Sequence, residues 1–166
     1  MATSVTDEFL QLINENLGIA HKISRIYFDD PESREDVRQE MMYQLWKSFK
    51  TFDGRSKFST WMYSVCLNTA LTYRRKTTRE FKEPLGPGYE AIPDTDYNPG
   101  NEDMQLLYEG ISTLSPLNKA IILLYMEDLS YDDIANITGL SKTNVSVRLV
   151  RLKRSLEIYI KEKSNQ

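Results

Sequence analysis

The sequence predicts an all-α protein in which two small helical domains are joined by a flexible acidic linker. Apolar residues recur at intervals of three and four through most of the chain, which is the periodicity of amphipathic helices. No alternating run is long enough to form a strand. One central stretch holds four of the six prolines and three of the seven glycines, and these residues interrupt helices and strands.

Charge is distributed unevenly along the chain, although the net charge is only −3. Residues 77–103 carry 2 basic against 7 acidic residues, whereas residues 1–76 carry 11 against 10 and residues 104–166 carry 8 against 7. We therefore predict domains at 1–78 and 104–166 with a linker at 79–103. The stretches Lys47–Lys76 and Lys142–Arg154 are strongly basic, so they are the candidate phosphate-binding surfaces.

The first domain is predicted to be a bundle of three or four helices. Its first helical pattern places these apolar residues along one face: Phe9, Leu12, Ile13, Leu17, Ala20, Ile23 and Phe28. Asp30 then caps a second helix and Pro31 occupies the first helical position. After a break at residues 51–56, apolar periodicity predicts a third helix from about Lys57 to Arg75.

The second domain is predicted to end in a helix-turn-helix. Ser115 caps a helix over 117–126, Ser130 caps a short helix that Gly139 ends, and Ser141 caps the last helix. The short helix is acidic and the last helix is long and basic, which is typical of a helix-turn-helix.

The last helix has a candidate DNA-reading face. With Val145 taken as buried and 100° per residue, Asn144 lies at the flank and the following residues fall on the opposite side: Thr143, Ser146, Val147, Val150, Arg151 and Arg154. Short polar groups near a helix N-terminus suit base edges, and arginines suit guanine or phosphate. The alternative is that these cations only solvate the outer face of a three-helix bundle.

Aromatic and basic residues are interleaved around the third helix. The aromatic residues are Phe52, Phe58, Trp61, Tyr63 and Tyr73, and the cations are Lys50, Arg55, Lys57, Arg74 and Arg75. This mixture suits single-stranded nucleic acid, because rings stack on bases while cations follow the backbone. Plain packing is the alternative for Phe58 and Trp61. The polar loop 53–57 is the better candidate for holding an unstacked base.

Residues for catalysis or metal binding are sparse. Cys66 is the only cysteine, which excludes disulfides within the chain and cysteine-rich zinc sites, and we expect it to be buried and inert. The single histidine, His21, has no nucleophile or metal-ligating partner at recognisable spacing. We expect no enzymatic activity, no cofactor and no metal. Without a signal pattern or a long apolar run, a cytoplasmic protein is expected.

Several segments resemble the extracytoplasmic-function (ECF) sigma factors of the sigma-70 family. Residues 36–46 resemble the family's Asp-x-x-Gln-Glu helix that ends in Leu-Trp. Residues 58–63, with Asn68 and the pair Arg74 and Arg75 downstream, resemble its Phe-Ser-Thr-Trp-Leu-Tyr segment. Residues 114–116, 129–135 and 143–149 resemble the family's region four. Two departures are Leu67, where the family often has a basic residue, and Thr72, where it often has an acidic one.

The resemblance implies an alternative sigma factor that binds core RNA polymerase and directs it to particular promoters. Region two, at 1–78, would bind the clamp helices of the largest polymerase subunit through Asp36, Gln39, Glu40 and Trp46. It would also bind the minus-ten element, including the melted non-template strand, through Phe52, Arg55, Lys57, Phe58, Thr60, Trp61, Asn68, Arg74 and Arg75. Region four, at 104–166, would bind the polymerase flap, and the minus-thirty-five element through Lys142, Thr143, Asn144, Ser146, Val147, Arg148, Arg151 and Arg154.

The resemblance also implies a role for the linker and a further partner. The acidic linker would mimic the charge of RNA in a basic channel and be displaced by the growing transcript, although its acidity also suits a soluble tether. An anti-sigma protein associated with the membrane would clamp the two domains over their DNA-binding faces.

Two other classes of protein remain open. A one-component helix-turn-helix repressor or activator would bind half-sites about 34–36 Å apart as a symmetric dimer, but no leucine-rich dimerisation helix is left over here. An RNA-binding or protein-binding helical module requires the basic stretches to be solvated faces only.

Overall fold

In a computed structural model of the chain, residues 4–80 and 102–166 are described, and they form α helices and one short 3-10 turn without any strand. They belong to two compact units, which we describe separately. The predicted all-α, two-domain fold is confirmed. The linker predicted at 79–103 lies outside the described residues except at its two ends, so the domain boundaries stay a prediction.

Within residues 4–80, the first unit contains four α helices. They are α1 (Val5–Glu15), α2 (Leu17–Tyr27), α3 (Pro31–Ser48) and α4 (Phe58–Glu80), and a 3-10 turn at Phe49–Thr51 follows α3. The helices α2, α3 and α4 pack against one another. Their fully buried contacts include Ile23, Val37, Met41, Leu45, Met62 and Ala70.

The stretch predicted as one continuous helical face from Phe9 to Phe28 is divided at Asn16. Its backbone leaves the helical region (φ −126°, ψ 18°), and its side-chain Nδ2 donates to the Leu12 carbonyl at 2.8 Å. An asparagine side chain that bonds its own backbone competes with helix continuation. As a result Leu17 is 43 % exposed, although periodicity placed it on the buried face.

The second unit is built from α5 (Glu102–Ser112), α6 (Pro116–Met126), α7 (Tyr131–Thr138) and α8 (Lys142–Ser164). Its core includes the fully buried residues Ile111, Ile121, Leu124, Ile134, Val145 and Leu149. Gly110 lies where α5 meets α8, and a Cβ there would stand 3.0 Å from Leu156 Cδ2 and 3.1 Å from Tyr159 Cδ1. The missing side chain therefore allows close approach of the two helices.

Side-chain caps begin the helices at the predicted residues. The Asp30 carboxylate accepts the Ser33 N–H at 2.8 Å, and the Ser115, Ser130 and Ser141 hydroxyls accept the N–H three residues onward at 3.3, 3.1 and 3.1 Å. Gly139 ends α7 in the left-handed region at φ 78°, as a glycine can without steric cost. The turn between α7 and α8 is thereby fixed. Among the described helices, none is apolar over a length that could span a membrane.

Candidate nucleic-acid and protein interfaces

The outer face of α3 stays exposed while its inner face is buried in the first unit. Asp36, Gln39 and Glu40 are exposed. Trp46 is 47 % exposed, and the Phe9 ring supports it in an edge-to-face contact with centroids 5.1 Å apart. The four predicted polymerase-binding residues thus lie on one helix, outside its core-facing stripe.

Sequence reasoning missed Tyr43, which belongs to the same outer face and is 57 % exposed. It lies four residues after Gln39 and three before Trp46, so helical spacing places the three on neighbouring positions. A large aromatic residue at that spacing was the signal, and a helical wheel of residues 36–46 would have shown it.

Asp36 has a partner on α4, because the Tyr73 hydroxyl donates to its Oδ2 at 3.5 Å. Burial, together with the charge of Asp36, raises the pKa of Tyr73 above its usual value. The Tyr73 ring also packs edge-to-face on Phe28, with centroids 5.6 Å apart. Tyr73, which sequence reasoning grouped with single-strand stacking residues, thus joins α3 to α4.

A cavity of about 410 Å³ opens between α3 and α4. Its lining combines carboxylate, amide, hydroxyl and ammonium groups: Glu40, Gln44, Asn68, Thr69, Thr72, Tyr73 and Lys76. Gln44 Nε2 donates to Glu40 Oε1 at 3.0 Å. The cavity therefore brings together Glu40, predicted to bind polymerase, and Asn68, predicted to bind the minus-ten element.

An aromatic cluster forms where the 3-10 turn meets the start of α4. Phe49 lies at its centre, within 6.3 Å of Trp61 and 6.4 Å of Phe58 between ring centroids. Phe58 is only 9 % exposed, which favours the packing alternative for this residue. Phe52 and Trp61, with centroids 5.3 Å apart, are half-buried and keep ring surface open.

The loop before α4 carries exposed cations beside that open ring surface. Arg55 and Lys57 are both exposed, and Gly54 turns the chain at φ 77°. Arg55 Nε pairs with Asp53 Oδ2 at 3.0 Å, but an ion pair with two well-exposed side chains contributes little and is readily exchanged for a phosphate. The loop thus combines a stacking surface with exposed positive charge.

The other predicted minus-ten residues of α4 differ in their exposure. Asn68 and Arg75 are seven residues apart, about two helical turns, and both are exposed. Arg74 is half-buried and close enough to Tyr27 for its charge to oppose the upward pKa shift that burial causes there. Thr60 is half-buried as well. Leu67, where the ECF family often has a basic residue, is 2 % exposed and packs in the core.

The helix-turn-helix of the second unit exposes one side of α8. Lys142, Thr143, Asn144, Val147, Arg151 and Arg154 are exposed. Val150, which the helical wheel placed on this side, is 67 % exposed. Lys142 Nζ lies 3.4 Å from Asp132 Oδ2 on α7. Most of the side chains that helical periodicity placed on the outer side of α8 are therefore exposed in the structure.

Ser146 and Arg148 differ from the rest of that set, since both are half-buried. Two side chains of the unit hold the Arg148 guanidinium: its Nε donates to Asn144 Oδ1 at 2.9 Å and its Nη1 donates to Asn118 Oδ1 at 3.1 Å. Asn118, on α6, was missed by sequence reasoning. No local pattern signals a partner 30 positions away.

Family comparison covers both units. Residues 12–80 match Sigma-70 region 2 and residues 104–156 match Sigma-70 region 4. The chain is 31 % identical over 136 residues to the ECF RNA polymerase sigma-E factor of Haemophilus influenzae, covering 74 % of this chain and 71 % of that protein. The chain belongs to the ECF sigma factors of the sigma-70 family. This ECF sigma factor binds core RNA polymerase and directs promoter-specific transcription initiation.

Another relative is similar to this ECF sigma factor in sequence, and two solved structures are similar to it in fold. RNA polymerase sigma factor SigV of Bacillus subtilis is 26 % identical over 147 residues, covering 84 % of this chain and 83 % of SigV. Among solved structures, the sigma factor RpoE in complex with the anti-sigma factor NepR from Bartonella quintana has a TM-score of 0.76 at 22 % identity, covering 93 % of this chain and 97 % of that one. CnrH in complex with the cytosolic domain of CnrY has a TM-score of 0.63 at 19 % identity, covering 93 % of this chain and 88 % of that one.

Proposed function

We propose that this sigma factor divides its work among three surfaces. The outer face of α3 binds core polymerase, the loop 52–57 with Trp61 captures the melted minus-ten strand, and the exposed side of α8 reads the minus-thirty-five duplex. The observation that supports this division most directly is that cations and open rings are accessible to solvent on helices, and on the loop before α4, while the opposite sides of those helices are buried. We also propose that the chain acts in the cytoplasm, by binding alone and without catalysis of its own.

The polymerase surface combines acidic groups with exposed aromatic rings. Carboxylates on this face give electrostatic complementarity to a basic partner, and a supported, half-exposed Trp46 is typical of an interface hot spot. We expect Trp46→Ala to weaken binding to core polymerase by about 2 kcal/mol, roughly thirtyfold. The variant loses the contact with the Phe9 ring, but the buried residues Val37, Met41 and Leu45 still hold α3 in the core.

A charge reversal tests the acidic part of the same surface. Glu40→Lys places a like charge against the basic partner, so we expect at least about tenfold weaker association with core polymerase. Glu15→Lys is a matched control, because Glu15 is also exposed and also accepts from a glutamine four residues away, Gln11. The proposal is wrong if Glu40→Lys and Trp46→Ala both bind core polymerase as the Glu15→Lys control does.

The minus-ten surface suits a single strand. Phe52 and Trp61 offer ring surface for one base, and Arg55 and Lys57 lie on the adjoining loop for its phosphates. Stacking of a base on an aromatic ring contributes about 1–3 kcal/mol without sequence readout. An extruded base held this way stabilises the melted strand. Because Phe58 is buried, we assign to it the support of these rings.

The minus-thirty-five surface suits duplex DNA. Arg151 and Arg154 are exposed on α8. A phosphate contact contributes about one unit to the salt slope of binding. We therefore expect Arg151→Ala to reduce by about one unit the slope of log affinity against log salt for holoenzyme on a promoter. Lys161→Ala is the control, since Lys161 lies near the end of α8 and pairs with Glu157 at 3.0 Å. An unchanged slope in Arg151→Ala contradicts this surface.

We propose in addition that an anti-sigma protein regulates this factor. The sigma factor RpoE, which shares its fold, is found in a complex with the anti-sigma factor NepR. CnrH, which also shares the fold, is found in a complex with the cytosolic domain of CnrY. The exposed valines Val147 and Val150 on α8 offer apolar surface among the DNA-facing cations, as a protein partner requires. Promoter DNA and such a partner should then compete, and simultaneous binding in a gel-shift titration would count against a shared surface.

The proposed role of the acidic linker concerns residues outside those the structure describes. Neutralising Glu90, Asp94 and Asp96 should raise the ratio of abortive to full-length transcripts if their charge helps the linker yield to RNA. Unchanged ratios in run-off assays would leave the linker as a tether only.

A further inference from the structure

We infer that Asn118, on α6, sets the base preference of the recognition helix by holding Arg148 and, through it, the amide of Asn144. Asn118 and Arg148 are thus positioning residues, and Asn144 is the residue that meets the base. The inference depends on the proposal above that α8 reads the minus-thirty-five element.

Arg148 bridges the first turns of two helices. Its Nη1 donates to Asn118 Oδ1 at 3.1 Å, and its Nε donates to Asn144 Oδ1 at 2.9 Å. Hydrogen bonds from a charged donor are stronger than those between neutral groups. The Arg148 side chain is half-buried and its bond to Asn118 is partly buried, which makes that bond stronger than it would be in open solvent.

Both asparagines begin from fixed backbone positions. Asn118 follows the cap Ser115 by three residues, and its N–H donates to that hydroxyl at 3.3 Å. Asn144 stands in the same relation to Ser141, with a distance of 3.1 Å. The caps hold the two Cα atoms, so the Arg148 bridge leaves little freedom for either side chain.

The bridge decides which end of the Asn144 amide faces solvent. Its Oδ1 is turned toward Arg148, and the Nδ2 group on the other branch makes no hydrogen bond within the described residues. Asn144 is exposed in the first turn of α8, where recognition helices contact base edges. It therefore presents donors to the groove.

A fixed donor restricts the bases that can be accepted. In the major groove, guanine offers N7 and O6, adenine N7 and thymine O4 as acceptors, whereas cytosine offers only its amino donor. The familiar two-bond pairing of asparagine with adenine needs the amide oxygen to face the base as well, and here that oxygen is engaged by Arg148. At the position read by Asn144 we expect cytosine to be disfavoured and adenine to have no advantage over guanine or thymine.

Selection from duplex DNA with a randomised minus-thirty-five element, using reconstituted holoenzyme, tests this inference. Wild type should deplete cytosine at one position by roughly five- to tenfold, the discrimination expected of one hydrogen bond. Asn144→Asp keeps an acceptor for Arg148 and removes the donor, so the same position should shift toward cytosine. Asn118→Ala should flatten the preference to within about twofold because the Asn144 amide is then free to turn. Asn118→Asp should restore it, because a carboxylate also accepts from Arg148.

Base ratios separate this role from a structural one. Loss of stability alone lowers total binding and leaves the ratios unchanged. Asn136→Ala is the matched control, because Asn136 is an exposed asparagine on α7 in the same unit and should retain the wild-type ratios. If Asn118→Ala unfolds the unit, Asn144→Asp still tests the inference, because this variant keeps the helix caps and the hydrogen bonds of Arg148.

Two outcomes overturn the inference while the proposed function stands. One is an Asn144→Asp holoenzyme that selects the wild-type sequence at every position, and the other is a folded Asn118→Ala protein that depletes cytosine as wild type does. A wild-type holoenzyme that selects no minus-thirty-five sequence at all would instead overturn the proposed role of α8.

Discussion

In the aromatic cluster of the first unit, a ring that supports the DNA-binding surface can be distinguished by mutation from a ring that contacts DNA. Phe58 is 9 % exposed, and its ring lies 5.7 Å from Phe52 and 5.4 Å from Trp61 between centroids. Truncating a buried phenylalanine to alanine costs about 3–5 kcal/mol. A unit of this length has a total unfolding free energy of about 4–12 kcal/mol. Phe58→Ala should therefore lower the urea midpoint of the first unit by a large fraction of the wild-type value, or unfold the unit.

Phe58→Leu is the informative variant, because leucine keeps most of the apolar volume and loses only the ring. We expect it to cost about 1–2 kcal/mol, from the lost ring contacts and a partial cavity, and to leave the unit folded. Promoter opening should stay within about threefold of wild type once the protein is folded. Phe52→Leu removes open ring surface instead, and should reduce opening roughly five- to 150-fold, as the loss of about 1–3 kcal/mol of stacking requires.

The assay is permanganate reactivity of unpaired thymines in the minus-ten element, with holoenzyme at saturating concentration and urea melts of each variant in parallel. A Phe58→Leu protein that melts near wild type but opens promoters as poorly as Phe52→Leu would refute the assignment. The Phe58 ring would then contact DNA despite its burial.

Three further predictions concern stability and burial. Asp128 adopts φ 61° between α6 and α7, so Asp128→Gly should raise the unfolding free energy by about 0.5–1 kcal/mol in thermal melts, whereas Asp128→Val should lower it. Gly110→Val should cost about 1–3 kcal/mol in urea melts, because Leu156 and Tyr159 leave no room for its methyl groups. Burial raises the pKa of Cys66 from 9.0 to about 12; the unfolded chain therefore loses this proton first, and stability falls as pH rises from 9 to 12. Cys66→Ala should make that fall less steep, and equal slopes would place the thiol in solvent.

Local sequence signals predicted most of the fold. The caps at Asp30, Ser115, Ser130 and Ser141 and the left-handed Gly139 were all readable, because each acts within a few residues of itself. The division at Asn16 was not predicted. Periodicity continues across it, and a side chain that bonds its own backbone leaves no mark in an apolar pattern.

The candidate surfaces were predictable in outline, and their internal partners were not. Helical spacing gave the exposed side of α8 and the exposed face of α3. It could not show that Phe58 is packed among Phe49, Phe52 and Trp61, or that Arg148 is held by Asn118, because both depend on residues brought together by tertiary folding. The roles assigned to the surface residues stay predictions until the variants are measured.

Charge reversal on the two DNA-facing surfaces tests the central claim most directly. The Lys57→Glu and Arg151→Glu variants should each bind core polymerase as the wild-type factor does. Holoenzyme reconstituted with either variant should nevertheless lose most transcription in vitro from the factor's own promoter. Lys161→Glu serves as the matched control and should transcribe normally. If both Lys57→Glu and Arg151→Glu initiate at the level of that control, then neither surface meets promoter DNA.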